Sequence, residues 1–332
     1  MRPDPSILAK GKSCIADLLF YIHYSNYRQT MANIEQNYQV KYSEKWGSYL
    51  QQEASRLEKY VTVESGVTGK MVAFDQYGVL TFNEKLNRMS NTVISEAPTS
   101  RRVIFPRIFS KAVGFDEYDA KKLSNMDVPV SKTIEALRAS ASRTMDSVMI
   151  TAFFGAAHAG ENGLTSVNFP ESQTIPKDFS DSGAAEDSNL TLDKLRQALH
   201  LLQSKEAWSE DRRAYGDELV LACTSSQIAS LLKEPEVGSF DYNTVRALVE
   251  GRIDSFMGFR IIRTELLPIT SGVRSCLAWV KSRAQFAIWD DFKVKISVRD
   301  DLDETLQIRA KFACGATRLQ DEAFVKILCA EK

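Results

Sequence analysis

The sequence predicts an α+β protein built around one long helix, and three observations carry that reading. Ile134, Leu137, Ala141, Met145, Val148 and Ala152 recur every three or four residues over 131–154, which is the apolar stripe of an amphipathic helix. Residues 293–299 and 305–314 alternate polar with apolar side chains, as half-buried strands do. Between them, 189–290 mixes short apolar runs with shorter helical repeats, the texture of a compact α/β region.

The bulk numbers fit a folded protein. With 332 residues and 44% hydrophobic content the chain can bury the core of one large domain or two ordinary ones. Charged residues make up 26%, too ordinary a share for wholesale disorder. The 42 basic and 43 acidic residues leave a formal charge of −1, whereas a protein built to grip phosphates is normally more basic. No apolar run approaches the roughly 18 residues that cross a membrane. Cys14, Cys223, Cys276, Cys314 and Cys329 are odd in number and far apart. They read as reduced thiols in a cytosolic environment rather than a disulfide framework.

Taken in order, the elements are as follows. Lys10 and Lys12 precede an apolar stretch at 14–22 that imitates a signal peptide, but Asp17 interrupts it and Met31 looks like a natural start. Residues 1–30 are therefore expected to be an extension outside the functional fold. A helix-compatible arm, 31–60, carries Trp46, Leu50 and Leu57 at helical spacing. Within 61–110, Gly66, Gly69 and Gly78 punctuate runs at 70–74 and 79–82, which read as a hairpin turning at 75–78. Residues 83–110 stay polar and basic, and an arm with so little apolar content should lie on something else.

The long helix follows, with Ser131 as expected N-cap, Glu135 in its first turns and Gly155 as its stop. Its length would be about 36 Å. Residues 155–189 read as loop, 192–202 as a helix and 218–223 as a buried strand. Ser225 caps a helix ending at Leu232, and Asp241 caps another ending at Val249 before Gly251. Residues 254–268 read as a helix-to-strand joint at Gly258. Phe259 and Ile261 face one side, Arg260 and Ile262 face the other, and Pro268 ends the run. A strand at 276–280, a hairpin of 293–299 and 305–314 closed by the acidic loop 300–304, and a strand at 324–329 complete the chain.

The chemical signals are weak. Gly66-Val67-Thr68-Gly69-Lys70 lacks the spacing of a phosphate loop, and Met71 stands where a hydroxyl should hold magnesium. His23, His158 and His200 neither pair at metal-ligand spacing nor neighbour a cysteine. Gly155, Gly160 and Gly163 follow a helix, not the strand a dinucleotide fingerprint requires. Asp300, Asp301, Asp303 and Glu304 lack a turn glycine for calcium. Asp290 and Asp291 suit a turn or a salt-bridge partner. No catalytic, cofactor-binding or metal residue is assigned. One rival reading is an enzyme with a loop-built site at His158, and another is a DNA-binding protein using the basic loop. Lys70, Lys85, Arg88, Arg101, Arg102 and Arg107 are either a solvated face or intersubunit contacts pairing with acids on a neighbouring subunit.

Several short motifs, in this order, carry a resemblance. They are Arg101-Arg102, Asp127 with Pro129, Asp146 before the apolar run ending at Phe154-Gly155, and Asp241-Tyr242 with Ala247 to Gly251. Met257-Gly258-Phe259 with Leu267-Pro268, and Gly315-Ala316-Thr317-Arg318, complete the set. Over 31–332 the chain resembles the HK97-like major capsid proteins of tailed double-stranded DNA phages. The resemblance implies an N-terminal arm (31–60), an extended β-hairpin loop (61–110) and a peripheral domain with a spine helix and β-sheet (111–188). An α/β axial domain (189–290) and closing strands (291–332) would follow, with Gly258, Phe259 and Pro268 as structural residues. It further implies self-assembly into hexamers and pentamers of an icosahedral shell. Scaffolding, portal or decoration proteins are further expected partners, with packaged double-stranded DNA contacted non-specifically and no membrane. The protein would reside in the virion after assembly in the host bacterial cytoplasm. Relatives also build gene-transfer particles and encapsulin-like compartments. Some crosslink a lysine to an asparagine, but no asparagine partner for Lys70 or Lys85 is legible, so no crosslink is expected.

Overall fold

The periodic stretch folds as helix α1, Val130–Phe154. Because the helix begins at Val130, Ser131 lies in its first turn rather than at the cap. One helix serves two cores. Near its start, Leu137 is buried with Ile308 and Ala310, and Val130 and Ile134 pack beside them. Near its end, the Phe153 ring lies 5.9 Å from Trp279 and 5.4 Å from Phe324. The computed structural model describes residues 50–82, 84, 94, 96–116, 130–181, 186–233 and 255–331. All belong to one unit, Ser48–Lys332. The expected arm start, Lys85, Arg88, the Asp127–Pro129 motif and the helix at 241–249 lie outside the described residues.

The first strands are β1 (Thr62–Ser65), β2 (Val72–Tyr77), β3 (Thr99–Ile104) and β4 (Arg107–Phe115). After α1 come β5 (Ala157–Ala159), β6 (Thr165–Val167) and β7 (Thr174–Ile175). Helices α2 (Leu192–Ser204) and α3 (Glu210–Ala214), strand β8 (Leu219–Cys223) and helix α4 (Ser225–Leu231) follow. The chain closes with β9 (Ser255–Phe256), β10 (Phe259–Arg263), β11 (Ile269–Thr270), β12 (Val273–Val280), β13 (Ala284–Arg299), β14 (Thr305–Arg318) and β15 (Phe324–Ala330). They form three sheets, ordered β1-β13-β14-β4, β7-β15-β12-β8-β10-β9 with β11 on β12, and β2-β3-β5-β6.

The seven-stranded sheet is the main core. Every residue of β8 is buried, which explains its unbroken apolar run: a central strand covered on both faces need not alternate. Helix α2 presents Leu195, Ala198 and Leu202 to this core. Lys194 sits on the same helix, fully buried. Its Nζ lies within hydrogen-bond distance of the carbonyls of Lys177, Ser188, Asn189 and Leu328, at 2.7–3.1 Å. Burial pushes its pKa down, and the carbonyl cage compensates the desolvated charge.

Further local expectations change, and the segment expected as loop at 155–189 carries the short strands β5, β6 and β7 because each finds an edge to pair with. The stretch at Gly258 is a two-residue hairpin in its described part, with Phe256 opposite Phe259. Met257 (φ 51°) and Gly258 (φ 83°) are both left-handed, the geometry of a tight primed turn. Strand β10 does alternate, yet both Phe259 and Ile262 are buried because both of its faces are covered. The expected 70–74/79–82 hairpin does not form. Strand β2 runs straight through Asp75 and Gln76 and pairs with β3, Val72 opposite Ile104 and Tyr77 opposite Thr99. Finally, Thr224 rather than Ser225 is the N-cap of α4, and Gln227 accepts from the Thr224 amide at 3.1 Å.

Strands β13 and β14 form the expected long hairpin, closing with Arg299 opposite Thr305. Register shifts at Ile288–Asp290 and Asp290–Lys293 mark bulges. Asp290 is therefore inside a strand, bridging Lys293 and Lys311. The segment before β1 is strapped to the body by the fully buried Asp146 of α1. Asp146 accepts from Gln52 Nε2 (2.5 Å), Ser55 Oγ (2.5 Å) and the Arg56 amide (3.1 Å). Trp279 Nε1 donates to the Tyr60 carbonyl at 3.0 Å.

Candidate assembly surfaces

Between β2 and β3 the chain makes an excursion, residues 78–98, closed at its base where the Gly78 amide donates to the Pro98 carbonyl. Arg101 and Arg102 stand beside that base on β3 and do different work. Arg101 grips Asp75 across the strand pair, Nε to Oδ1 2.5 Å and Nη2 to Oδ2 2.9 Å. The guanidinium holds the Asp75 carboxyl below the usual carboxylate range. Arg102 turns inward, donating to the Leu319 carbonyl (3.2 Å) and to Asp321 Oδ2 (2.6 Å).

Asp321 accepts a second cation, Arg318 Nε at 3.0 Å. Arg318 is fully buried, and its Nη1 donates to the carbonyls of Phe153 (2.6 Å) and Gly155 (2.5 Å). These carbonyls end α1, where backbone acceptors have no intrahelical donor and positive charge suits the dipole. The Phe169 ring lies 5.0 Å from the guanidinium carbon. Burial lowers the Arg318 pKa, and Asp321 opposes that shift. The root of the excursion is thus wired through Arg102, Asp321 and Arg318 to the end of the long helix.

Of the other expected contacts, Arg107 is exposed at the start of β4, its guanidinium 5.6 Å from the Phe109 ring. Lys70 is exposed beside Gly69, whose carbonyl accepts from Trp289 Nε1 at 3.0 Å. Lys85 and Arg88 lie outside the described residues. Sequence reasoning passed over the apolar side of the excursion. Tyr77, Val79, Leu80, Phe82 and Ile94 are 80%, 86%, 64%, 104% and 93% exposed. A run of large exposed apolar side chains marks an interaction surface, and the signal for it was Val79-Leu80 and Phe82 in an otherwise polar loop.

A cavity of about 340 Å³ opens at the same root, lined by Val103, Phe105, Val148, Gly155, His158 and Gly315 among others. His158 Nδ1 lies 3.2 Å from the Gly163 carbonyl, and its ring meets Phe105 edge-on at 5.2 Å. The lining hydroxyls are engaged, Thr151 with the Ser147 carbonyl and Thr317 with the Arg318 carbonyl. Among the described residues no carboxylate lines the cavity, so none of them gives His158 a free nucleophile to activate or an acid to orient it. Cys223, Cys276, Cys314 and Cys329 are buried free thiols. Burial pushes Cys223 up to about 12 and Cys314 up to about 11, far from thiolate chemistry. Among the described residues no group of three or more His, Cys, Asp or Glu side chains could hold a metal ion. None of their helices is long and apolar enough to cross a membrane.

A long helix shared by two sheets, a mixed sheet beside it and a segment with exposed apolar side chains rooted at its end define a structural subunit of the HK97-like fold. Solved capsid structures have the same fold at low identity. That of Cyanophage Pam1 matches with TM-score 0.67 and 11% identity, over 89% of this chain and 97% of its own. Mycobacterium phage Che8 matches with TM-score 0.63 and 14% identity, over 88% and 97%. The capsid of a native GTA particle matches with TM-score 0.61 and 13% identity, over 89% and 96%. No curated protein sequence matches this chain. The family model for phage capsid protein matches residues 34–331, and the chain belongs to that family. It is a major capsid protein, a non-enzymatic virion component that self-associates into an icosahedral shell. The enzyme reading at His158 is thereby set aside.

Proposed function

We propose that this subunit assembles into hexamers and pentamers around double-stranded DNA, with the 78–98 excursion of each copy lying over its neighbour. The observation that carries the reading is the exposure of Val79, Leu80, Phe82 and Ile94 along that excursion and of Tyr77 just before it. Five such side chains are costly in water. Their burial against a neighbour is worth on the order of 10 kcal/mol before ordering costs are subtracted. The anchored root supports the same reading, because a loop whose base is already held gives up less entropy on docking than one with a free base.

On this reading, residues 31–60 are the arm, 61–110 the extended loop, 111–188 the peripheral domain, 189–290 the axial domain and 291–332 the closing strands. The exposed cations Lys70 and Arg107 then set register between copies more than affinity. Assembly takes place in the host bacterial cytoplasm, with scaffolding, portal and decoration proteins as further partners and the DNA touched without sequence preference.

The test replaces residues 79–97 with a short glycine-serine linker. The variant should keep the circular dichroism spectrum of the parent while electron microscopy shows no shells. Normal shells from the linker variant would overturn the arm's role.

A further inference from the structure

Along the outer half of the β13–β14 hairpin, one face of the β1-β13-β14-β4 sheet turns toward α1, and on the other Lys293, Lys295, Arg309 and Lys311 are exposed among the described residues. Residues directly opposite in the β13–β14 register share a face. Val294, Ile296 and Val298, opposite Ala310, Ile308 and Leu306, take the side of α1. The other side carries Lys293 opposite Lys311, Lys295 opposite Arg309, and Arg299 opposite Thr305. Like charges set directly across a strand pair repel, and the chain answers this repulsion unevenly. Asp290, held in place by the bulge, bridges Lys293 and Lys311. Asp301 pairs with Arg299. The rung between them, Lys295 and Arg309, is exposed and has no acidic partner among the described residues.

The matching acids stand at the end of the same hairpin. Asp300, Asp303 and Glu304 are exposed in the turn and have no cationic partner among the described residues. They cannot serve their own chain's rung. Lys295 lies four residues before Arg299, about 13 Å along a rigid strand, well beyond ion-pair reach. With a net charge of −1, the chain carries as many acidic residues as basic ones to within one, so a second copy can supply acids to match its basic face.

We propose that the open rung, Lys295 and Arg309, receives the acidic turn 300–304 of a neighbouring copy in the shell. The contact is head-to-tail: each copy offers a turn to one neighbour and a basic rung to another, as a closed ring of subunits requires. It deepens the assembly reading and rests on it.

A charge swap tests the contact. K295E/R309E and D300K/E304K should each lower shell yield at least about tenfold, because like charges then face each other across the interface. The two double changes in one chain should restore it. Circular dichroism establishes folding of each variant. If K295E/R309E does not fold, K295Q/R309Q takes its place, and its assembly should respond less steeply to salt than the parent's. Parent-like yield from K295E/R309E, failure of the combined variant to recover, or parent-like salt dependence of K295Q/R309Q would each overturn the contact. So would normal shells depleted of DNA, which would direct the rung to nucleic acid instead. Parent protein that forms no shells removes the assembly reading itself, whereas parent shells with unaffected variants remove only this contact.

Discussion

Arg318 concentrates the demands that this fold places on one side chain. It is fully buried, caps the end of α1 and shares Asp321 with Arg102. Arg318→Met should lower stability by about 3 kcal/mol in a denaturant titration, since it leaves the helix-end carbonyls of Phe153 and Gly155 without their donor and removes one of the two cations that hold Asp321. Arg318→Lys should recover little of that loss, because an ammonium cannot present a planar fork to both sites. A second residue-scale device works on pH. Glu331 accepts from Arg274 at 2.9 and 3.1 Å and from Gln227 at 2.9 Å, and these hydrogen bonds pull its pKa down. A depressed folded pKa adds stability above the unfolded value, near pH 4.3, and that stability is lost as pH falls through the folded value. Arg274→Met should therefore flatten the fall of melting temperature below about pH 4.3, and an unchanged slope would refute the assignment.

At the scale of elements, what matters is how closely β14 passes the β3–β4 corner. A Cβ on Gly315 would stand 2.6 Å from both Ile104 Cγ2 and the Phe105 carbonyl oxygen. Part of that contact is backbone and cannot swing aside, so Gly315→Ala should cost about 2 kcal/mol, read as a shift in the unfolding midpoint. The long elements were legible in the sequence because their information is local. Helix α1 was expected at 131–154 and spans Val130–Phe154, and the alternating runs of β13 and β14 meet across the expected acidic turn. Short strands were missed where the partner is distant. Strand β2 had a turn signal beside it and still paired with β3, and β4, β5 and β7 owe their existence to edges supplied by β14, β3 and β15. Buried charge was hidden for the same reason. Lys194 in a leucine stripe and Asp146 in an apolar run were the available signs, but the carbonyls and amides that satisfy them come from other elements.

For the whole molecule, the shell function sits on surfaces, and the linker replacement of 79–97 and the charge swap on the β13–β14 hairpin probe two of them. The sequence by itself determined the α+β class, the long helix and the closing hairpin, because each is written in spacing along the chain. Tertiary structure alone decided that Arg102 turns inward while Arg101 stays at the surface. The two arginines are neighbours with the same chemistry, but alternate residues of a strand face opposite sides of the sheet. Only the fold brings Asp321 to one side and Asp75 to the other.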